Sequence, residues 1–199
     1  MNSENTAPLR KALKFVALAN FIYFFVEFFV ALKINSVSLF ADSVDFLEDA
    51  SVNFLIIFAL SWSLKARARM GMFLAALLLW PALATVWMIW HKISGLTAPE
   101  PFLLTITGIG ALCVNVTCAF MLAKFRHHSG SLTKAAFYSA RNDAIANIAI
   151  ISAGLLTAVT SSGIPDLVVG ICIAIMNIDA AKEVWEAAKK EKLEAHEHC

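Results

Sequence analysis

The sequence has few charged residues for its length. Charged side chains make up 16% of the 199 residues, against roughly 25% in an average soluble domain. Glycine and proline are also scarce, at eight and five residues, which excludes a collagen-like or disordered chain. Because 59% of the residues are hydrophobic and the mean hydropathy is +0.71, the apolar residues must lie in long segments that cross a membrane.

Cysteine is scarce too, and its placement excludes a disulfide framework. The four cysteines form no C-x-x-C pair, and three of them lie inside apolar stretches, so we interpret them as reduced thiols used in packing. The first apolar run is too long for a signal peptide, carries Glu27 and lacks a convincing cleavage site. We therefore expect a retained first membrane helix.

Six apolar stretches are long enough to cross a bilayer, which takes about 20 residues each. They fall near 13–32, 37–62, 70–90, 102–123, 135–158 and 165–184, with polar breaks between them. The pattern predicts an all-α polytopic membrane protein with six transmembrane helices. Its parts would be a cytoplasmic segment (1–12), a six-helix transport domain (13–184) and a short cytoplasmic tail (185–199).

Basic residues predict the orientation of these spans. Thirteen of the 16 Lys and Arg residues flank the spans on one side, the opposite side holds Lys33 and Lys92, and Arg141 lies within span 5. The side rich in Lys and Arg faces the cytoplasm. Both termini are therefore expected there, in a multi-pass protein of a membrane such as the bacterial inner membrane.

Span 2 carries an unusual group of acidic residues in the stretch ADSVDFLEDA. On a helix, Asp42, Asp45 and Asp49 fall within about 60° of one another, with Glu48 at the edge of the same sector. Each ionised group at the centre of a span costs roughly 2.5–3.5 kcal/mol. A cation or protons must compensate these charges, and Arg141, the one basic residue within a span, is poorly placed to neutralise several of them.

A second polar stripe lies in span 5, where Ser139, Asp143 and Asn147 repeat at four-residue spacing. Asn142 sits about 100° to one side of Asp143. At about 1.5 Å per residue, Asp49 is ~18 Å from the outer end of span 2 and Asp143 is ~12 Å from the inner end of span 5. These depths coincide in a core of ~30 Å. We expect the two stripes to face each other and to hold a divalent cation through oxygen ligands.

Protons compete with a metal ion for crowded carboxylates, which is the physical basis of antiport. Asn20 and Glu27 share one face of span 1 and are candidates for a proton path or for hydrogen bonds between helices. Asp42 and Asn147 are further candidates for the proton path or for supporting the metal ligands. Asn115 is expected to hydrogen-bond between helices, and Asp166 to cap the start of span 6.

Two motifs resemble those of the cation diffusion facilitator family. SVSLFADSVDFLEDA is similar to the span 2 signature S-x-S-L-x-A-D-x-x-[HD]-x-x-x-D, and YSARNDAIANIAIISAG is similar to the span 5 signature H-x-x-x-D. The resemblance extends over almost the whole chain and implies a six-helix antiporter that exports a divalent metal from the cytoplasm in exchange for protons. It places the transport site on Asp45, Asp49, Ser139 and Asp143.

The sequence departs from the family pattern at two points. Ser139 stands where zinc-selective members carry His, so the ligands would be three aspartates completed by Asn142, Ser139 or water. Loss of imidazole shifts preference from Zn²⁺ towards harder ions, and Zn²⁺, Co²⁺, Fe²⁺, Mn²⁺ and Cd²⁺ remain candidate substrates. Few residues follow span 6, which indicates a short form without the C-terminal cytoplasmic domain, so a homodimer would need the membrane helices or the short tail.

Two other functions remain open. An exporter of organic cations would use the same carboxylates with an aromatic-lined pocket. A metal-dependent lipid-diphosphate transferase would need more basic residues than Arg141 to hold phosphate, so we do not expect an enzyme. We also expect no cofactor and no nucleic-acid partner. The roles of Glu48 and Arg141 are open, and His127 and His128 in one loop, or the terminal stretch HEHC, are weaker candidates for metal binding.

Overall fold

The computed structural model describes residues 6–59, 83–93, 95, 97–125 and 130–176, together with the single positions 178, 182 and 186. The described residues form helices and short connections, with no strand among them. In chain order the helices are α1 (Thr6–Ile34), α2 (Val37–Ala59), α3 (83–93), α4 (Pro101–Ala123), α5 (Gly130–Thr160) and α6 (Ile164–Met176). The expected all-α fold is confirmed.

Within the part of the chain that the structure describes, three helices are long and apolar enough to cross a membrane: Ala7–Ile34, Pro101–Ala123 and Ser139–Thr160. Helix α6 is shorter but also apolar, and α2 has a spanning length of 23 residues interrupted by its acidic group. Large apolar side chains such as Phe29, Phe120 and Val159 are exposed on the outside of the bundle, as expected where lipid is the solvent. The protein is a polytopic membrane protein.

Helix α1 begins at Thr6, seven residues before the predicted start of span 1. The reason is that the apolar periodicity continues backwards into the basic segment. Leu9, Ala12, Leu13 and Val16 are all buried, at the three- and four-residue spacing that places side chains on one helix face. The basic residues of this segment therefore belong to the first turns of α1.

The helices pack as two hairpins. Helix α1 packs most extensively against α2, and α4 against α5, while α1 also contacts α4 and α2 contacts α5. Only Asn35 and Ser36 separate α1 from α2, and Asn35 adopts φ 53°, a left-handed conformation that asparagine tolerates better than most residues. The four helices together form the core of the described structure.

Two apolar clusters lie towards opposite ends of this core. The Leu13 cluster contains Leu9, Leu13, Val16, Ile56, Cys118, Leu122 and Ala140, and the Leu39 cluster contains Ala31, Leu39, Phe40, Ala41, Leu104, Ile150 and Ile173. Along each of the four helices, the buried residues with carboxyl or amide side chains fall between the two clusters. They form a polar layer made of Asn20, Glu27, Asp42, Asp49, Asn53, Asn115 and Asn147.

One end of the bundle is fastened by the carboxylate of Asp166. It accepts hydrogen bonds from the backbone N–H groups of Val37 (3.0 Å) and Ser38 (3.1 Å) and from the hydroxyls of Ser36 (2.6 Å) and Ser38 (2.7 Å). The expectation that Asp166 caps its own helix is wrong, because it caps the start of α2. The hydroxyl of Ser162 accepts from the N–H of Ile164 instead, at the start of α6.

A buried lysine completes this arrangement, which we call the Asp166 clasp (Ser36, Val37, Ser38, Lys92 and Asp166). The Nζ of Lys92 lies 3.5 Å from Oδ2 of Asp166 and donates to the carbonyl of Asn35. The clasp thus joins α2, the end of α3 and α6. Gly170 allows the close approach, since a Cβ there would lie 2.5 Å from a methyl carbon of Val37.

Candidate metal site in the polar layer

Asp49 is the centre of the polar contacts between the two hairpins. It is 6% exposed, and its Oδ1 accepts a hydrogen bond of 2.8 Å from the hydroxyl of Ser139 on α5. Its Oδ2 accepts a longer one of 3.4 Å from Nδ2 of Asn20 on α1. The carboxyl group of Asp143, also on α5, interacts electrostatically with that of Asp49. Helices α1, α2 and α5 therefore meet at this one carboxylate.

The four-residue spacing in α5 explains why Ser139 and Asp143 both reach Asp49. Residues i and i+4 lie one above the other on a helix face, so a single face of α5 presents both side chains to α2. The Ser139–Asp49 hydrogen bond supports the expectation that the polar stripes of spans 2 and 5 face each other, and the metal site itself stays a prediction.

Asp45 lies one turn before Asp49 and is half-buried. Its strongest electrostatic interaction with another side chain is with Asp143, followed by those with Asp42, Glu48 and Asp49. Within the described ranges, no three His, Cys, Asp or Glu side chains already stand close enough together to hold a metal ion. A complete coordination shell would therefore need Asp45 to move towards the Asp49–Asp143 pair.

Glu27 and Asp42 form a second carboxyl pair in the polar layer. Both side chains are fully buried, and their carboxyl groups interact electrostatically with each other. Oδ2 of Asp42 accepts from Nδ2 of Asn147 at 2.6 Å, and Oδ1 of Asn147 accepts from Nδ2 of Asn115 at 3.0 Å. The predicted interhelical hydrogen bond of Asn115 is confirmed.

Asn142 takes no part in the hydrogen bonds of the polar layer described above. It is exposed, its Oδ1 accepts from Nη2 of Arg141 at 3.3 Å, and it lines an apolar cavity between α5 and α6 together with Cys172 and Met176. The reason is the 100° step between consecutive helix residues, which turns Asn142 towards α6 when Asp143 faces α2. The expectation that Asn142 binds the metal therefore finds no support in this geometry and stays a prediction.

Cys118 belongs to the site although its sequence context indicated packing alone. Its Sγ is buried and lies 3.8 Å from Oδ1 of Asn20, which in turn contacts Asp49. The available signal was helical spacing, because Cys118 follows Asn115 by three residues and so shares its face. The loop pair His127 and His128 and the terminal HEHC stretch lie outside the described residues.

Comparison with known proteins identifies the family of the chain. The model of the cation efflux transmembrane domain matches residues 13–190. No match to a curated protein was found at a significant level. Because the family model covers most of the chain, the protein belongs to the cation efflux family, also called the cation diffusion facilitator family. Members of this family are transporters of divalent metal cations, and the protein is a transporter rather than an enzyme.

Proposed function

We propose that the protein exports a divalent transition-metal ion from the cytoplasm in exchange for protons, and that Asp45, Asp49 and Asp143 bind the ion with Ser139. One observation carries the proposal above all others. The hydroxyl of Ser139 on α5 donates to the buried carboxylate of Asp49 on α2 at 2.8 Å, and the carboxyl group of Asp143 on the same face of α5 interacts electrostatically with Asp49.

Two carboxylates in contact repel each other unless a positive charge lies between them. A proton supplies that charge when the two groups share one, and a divalent ion supplies more of it when it is bound by both. The two occupants compete for the same oxygen atoms, so binding of the metal expels protons and binding of protons releases the metal. This competition gives the site the ability to exchange one for the other.

The donor atoms favour hard cations. Asp49, Asp143 and Ser139 offer oxygen only, whereas Zn²⁺ prefers sites that include imidazole or thiolate. We therefore propose Mn²⁺, Fe²⁺ and Co²⁺ as better substrates than Zn²⁺ or Cd²⁺. The thiol of Cys118 is separated from Asp49 by the side chain of Asn20, so it would not be among the first ligands of the ion.

The two apolar clusters suit the proposed cycle. The Leu13 and Leu39 clusters lie on either side of the polar layer along α1, α2, α4 and α5, so an ion must pass one of them to enter and the other to leave. Alternating access would follow if the α1–α2 and α4–α5 hairpins rock against each other around the site. The charge distribution orients the Lys- and Arg-rich side to the cytoplasm, as in a carrier of a bacterial inner membrane.

Uptake of metal ions into proteoliposomes with an imposed pH gradient tests the proposal. We expect gradient-driven uptake of Mn²⁺ or Co²⁺ by the unmodified protein and a fall to the protein-free background for Asp49→Asn and for Asp143→Asn. Glu100→Gln is the matched control, because Glu100 is an exposed residue whose carboxylate caps α4. It should transport normally.

The same assay separates the remaining alternative. If an organic cation such as tetraphenylphosphonium is taken up under the gradient and no metal ion is, the protein exports organic cations. If both aspartate variants transport metal at the rate of the Glu100→Gln control, the proposed site is wrong.

A further inference from the structure

The Glu27–Asp42 pair has a feature that the proposed metal site does not explain. Neither carboxyl oxygen of Glu27 accepts a hydrogen bond from an N–H or hydroxyl group, and Oδ1 of Asp42 accepts none either. Both side chains are fully buried. The two carboxyl groups interact electrostatically with each other. Because a buried carboxylate without donors is very costly, we infer that the pair holds a proton.

Among the described residues, the other charged groups that interact with the pair are all acidic. Glu27 interacts with Asp45, and Asp42 interacts with Asp49 on α2 and with Asp143 on α5. On α1, Tyr23 lies one turn before Glu27, but its hydroxyl donates to the carbonyl of Thr107 at 2.7 Å. On α4, the titratable residue that interacts electrostatically with Tyr23 is Cys113.

The side-chain amides of Asn147 and Asn115, which lie near the pair, already form hydrogen bonds. Asn147 gives one N–H of its side chain to Asp42 and receives one from Asn115, which fixes which atom of each amide faces the pair. An amide donor holds Oδ2 of Asp42 in place whether or not that carboxyl is ionised. The arrangement therefore keeps Oδ1 of Asp42 and the two oxygens of Glu27 for the shared proton.

We propose that Glu27 and Asp42 form a proton-binding site separate from the metal ligands, which holds one proton in the metal-free protein and releases it when a divalent ion binds. This inference rests on the proposed function. The link between the sites is electrostatic, because Asp42 lies one helical turn from Asp45, and a double positive charge nearby favours the ionised form of the pair.

The exchange balances in charge. One proton leaves the Asp49–Asp143 pair and one leaves the Glu27–Asp42 pair as O–H bonds break, while the incoming ion brings two positive charges. The net charge of the polar layer is then the same with the metal bound as without it. This matters in a layer enclosed between two apolar clusters, where an uncompensated charge would be costly.

Calorimetry on the purified full-length protein in detergent tests the proposal. Titrating Mn²⁺ at one pH, in buffers that differ in enthalpy of ionisation, gives the number of protons released for each ion bound. We expect about two for the unmodified protein and for Glu100→Gln, as follows from the two shared protons. We expect Glu27→Gln to bind Mn²⁺ with about one proton fewer released, because glutamine keeps the shape of the side chain and cannot ionise.

A second variant and a spectroscopic signal keep the test decisive if Glu27→Gln does not fold. Asp42→Asn should show the same reduction. Infrared difference spectra on adding Mn²⁺ should lose the carbonyl bands of two protonated carboxylic acids in the unmodified protein and of only one in either variant. Equal proton release and an equal loss of carbonyl signal in the variants and the unmodified protein would overturn the inference alone. Failure of the unmodified protein to bind any metal would instead overturn the proposed function.

Discussion

The Asp166 clasp allows a quantitative prediction about stability. In Asp166→Asn, Oδ1 can still accept from Ser36 and Ser38, but an NH₂ group replaces Oδ2, which accepts from the N–H of Val37 and faces Lys92. The lysine then stays buried without its partner. Removing one member of a buried ion pair costs about 3–5 kcal/mol, and losing a helix cap costs about 1 kcal/mol.

Thermal unfolding of the purified protein in detergent measures this loss. A change of 1 kcal/mol moves the midpoint by about 2–4 °C in a chain of this size, so we expect Asp166→Asn to unfold roughly 10 °C earlier. Glu100→Gln is the control, since it makes the same chemical change at an exposed cap that also accepts two backbone N–H groups. It should cost about 1 kcal/mol or less.

The double variant Lys92→Met with Asp166→Asn adds a direct test of the ion pair. It should be less destabilised than the sum of its two single variants, because replacing both partners leaves no unpaired buried charge. If Asp166→Asn lowers the unfolding midpoint no more than Glu100→Gln does, the clasp does not hold the helices together and the reasoning is refuted.

Two further changes test the site and the packing around it. Ser139→His should increase uptake of Zn²⁺ several-fold relative to Mn²⁺ in competition assays, because it adds an imidazole beside Asp49; an unchanged ratio would show that Ser139 does not face the ion. Gly110→Ala should destabilise the protein by about 1–3 kcal/mol, because its Cβ would lie 2.2 Å from the hydroxyl of Tyr23. Gly95→Ala, with no atom within 4 Å of the added carbon, should leave the unfolding midpoint unchanged.

Much of the fold follows from apolar run length. The predicted spans 37–62, 102–123 and 135–158 match α2 at Val37–Ala59, α4 at Pro101–Ala123 and α5 at Gly130–Thr160 within a few residues at most ends. The early start of α1 could not be read from hydropathy, because its buried face is interrupted in sequence by basic residues. Most of the predicted third span lies in 60–82, outside the described residues, so the number of spans stays a prediction.

The polar contacts were predictable only where depth and helical spacing fix them. The meeting of Asp49 with Asp143 follows from these two quantities, and so does the neighbouring contact of Ser139. The pairing of Glu27 with Asp42 and the direction of Asp166 depend on how helices distant in sequence are rotated and staggered. The rotation and the stagger of a helix relative to its neighbours cannot be obtained from the sequence of that helix alone. For this reason Asp166 was assigned to its own helix.

The Asp166 clasp also bears on how the chain is synthesised and inserted. Asp166 caps backbone groups that precede it by 128 and 129 residues, so the start of α2 and the ammonium group of Lys92 lack this partner until α6 has been synthesised and inserted. In a nascent chain halted before that point, water or a chaperone must cover the free N–H groups of α2 and the charge of Lys92. The N-terminus of α2 is thus capped only after α6 has been made.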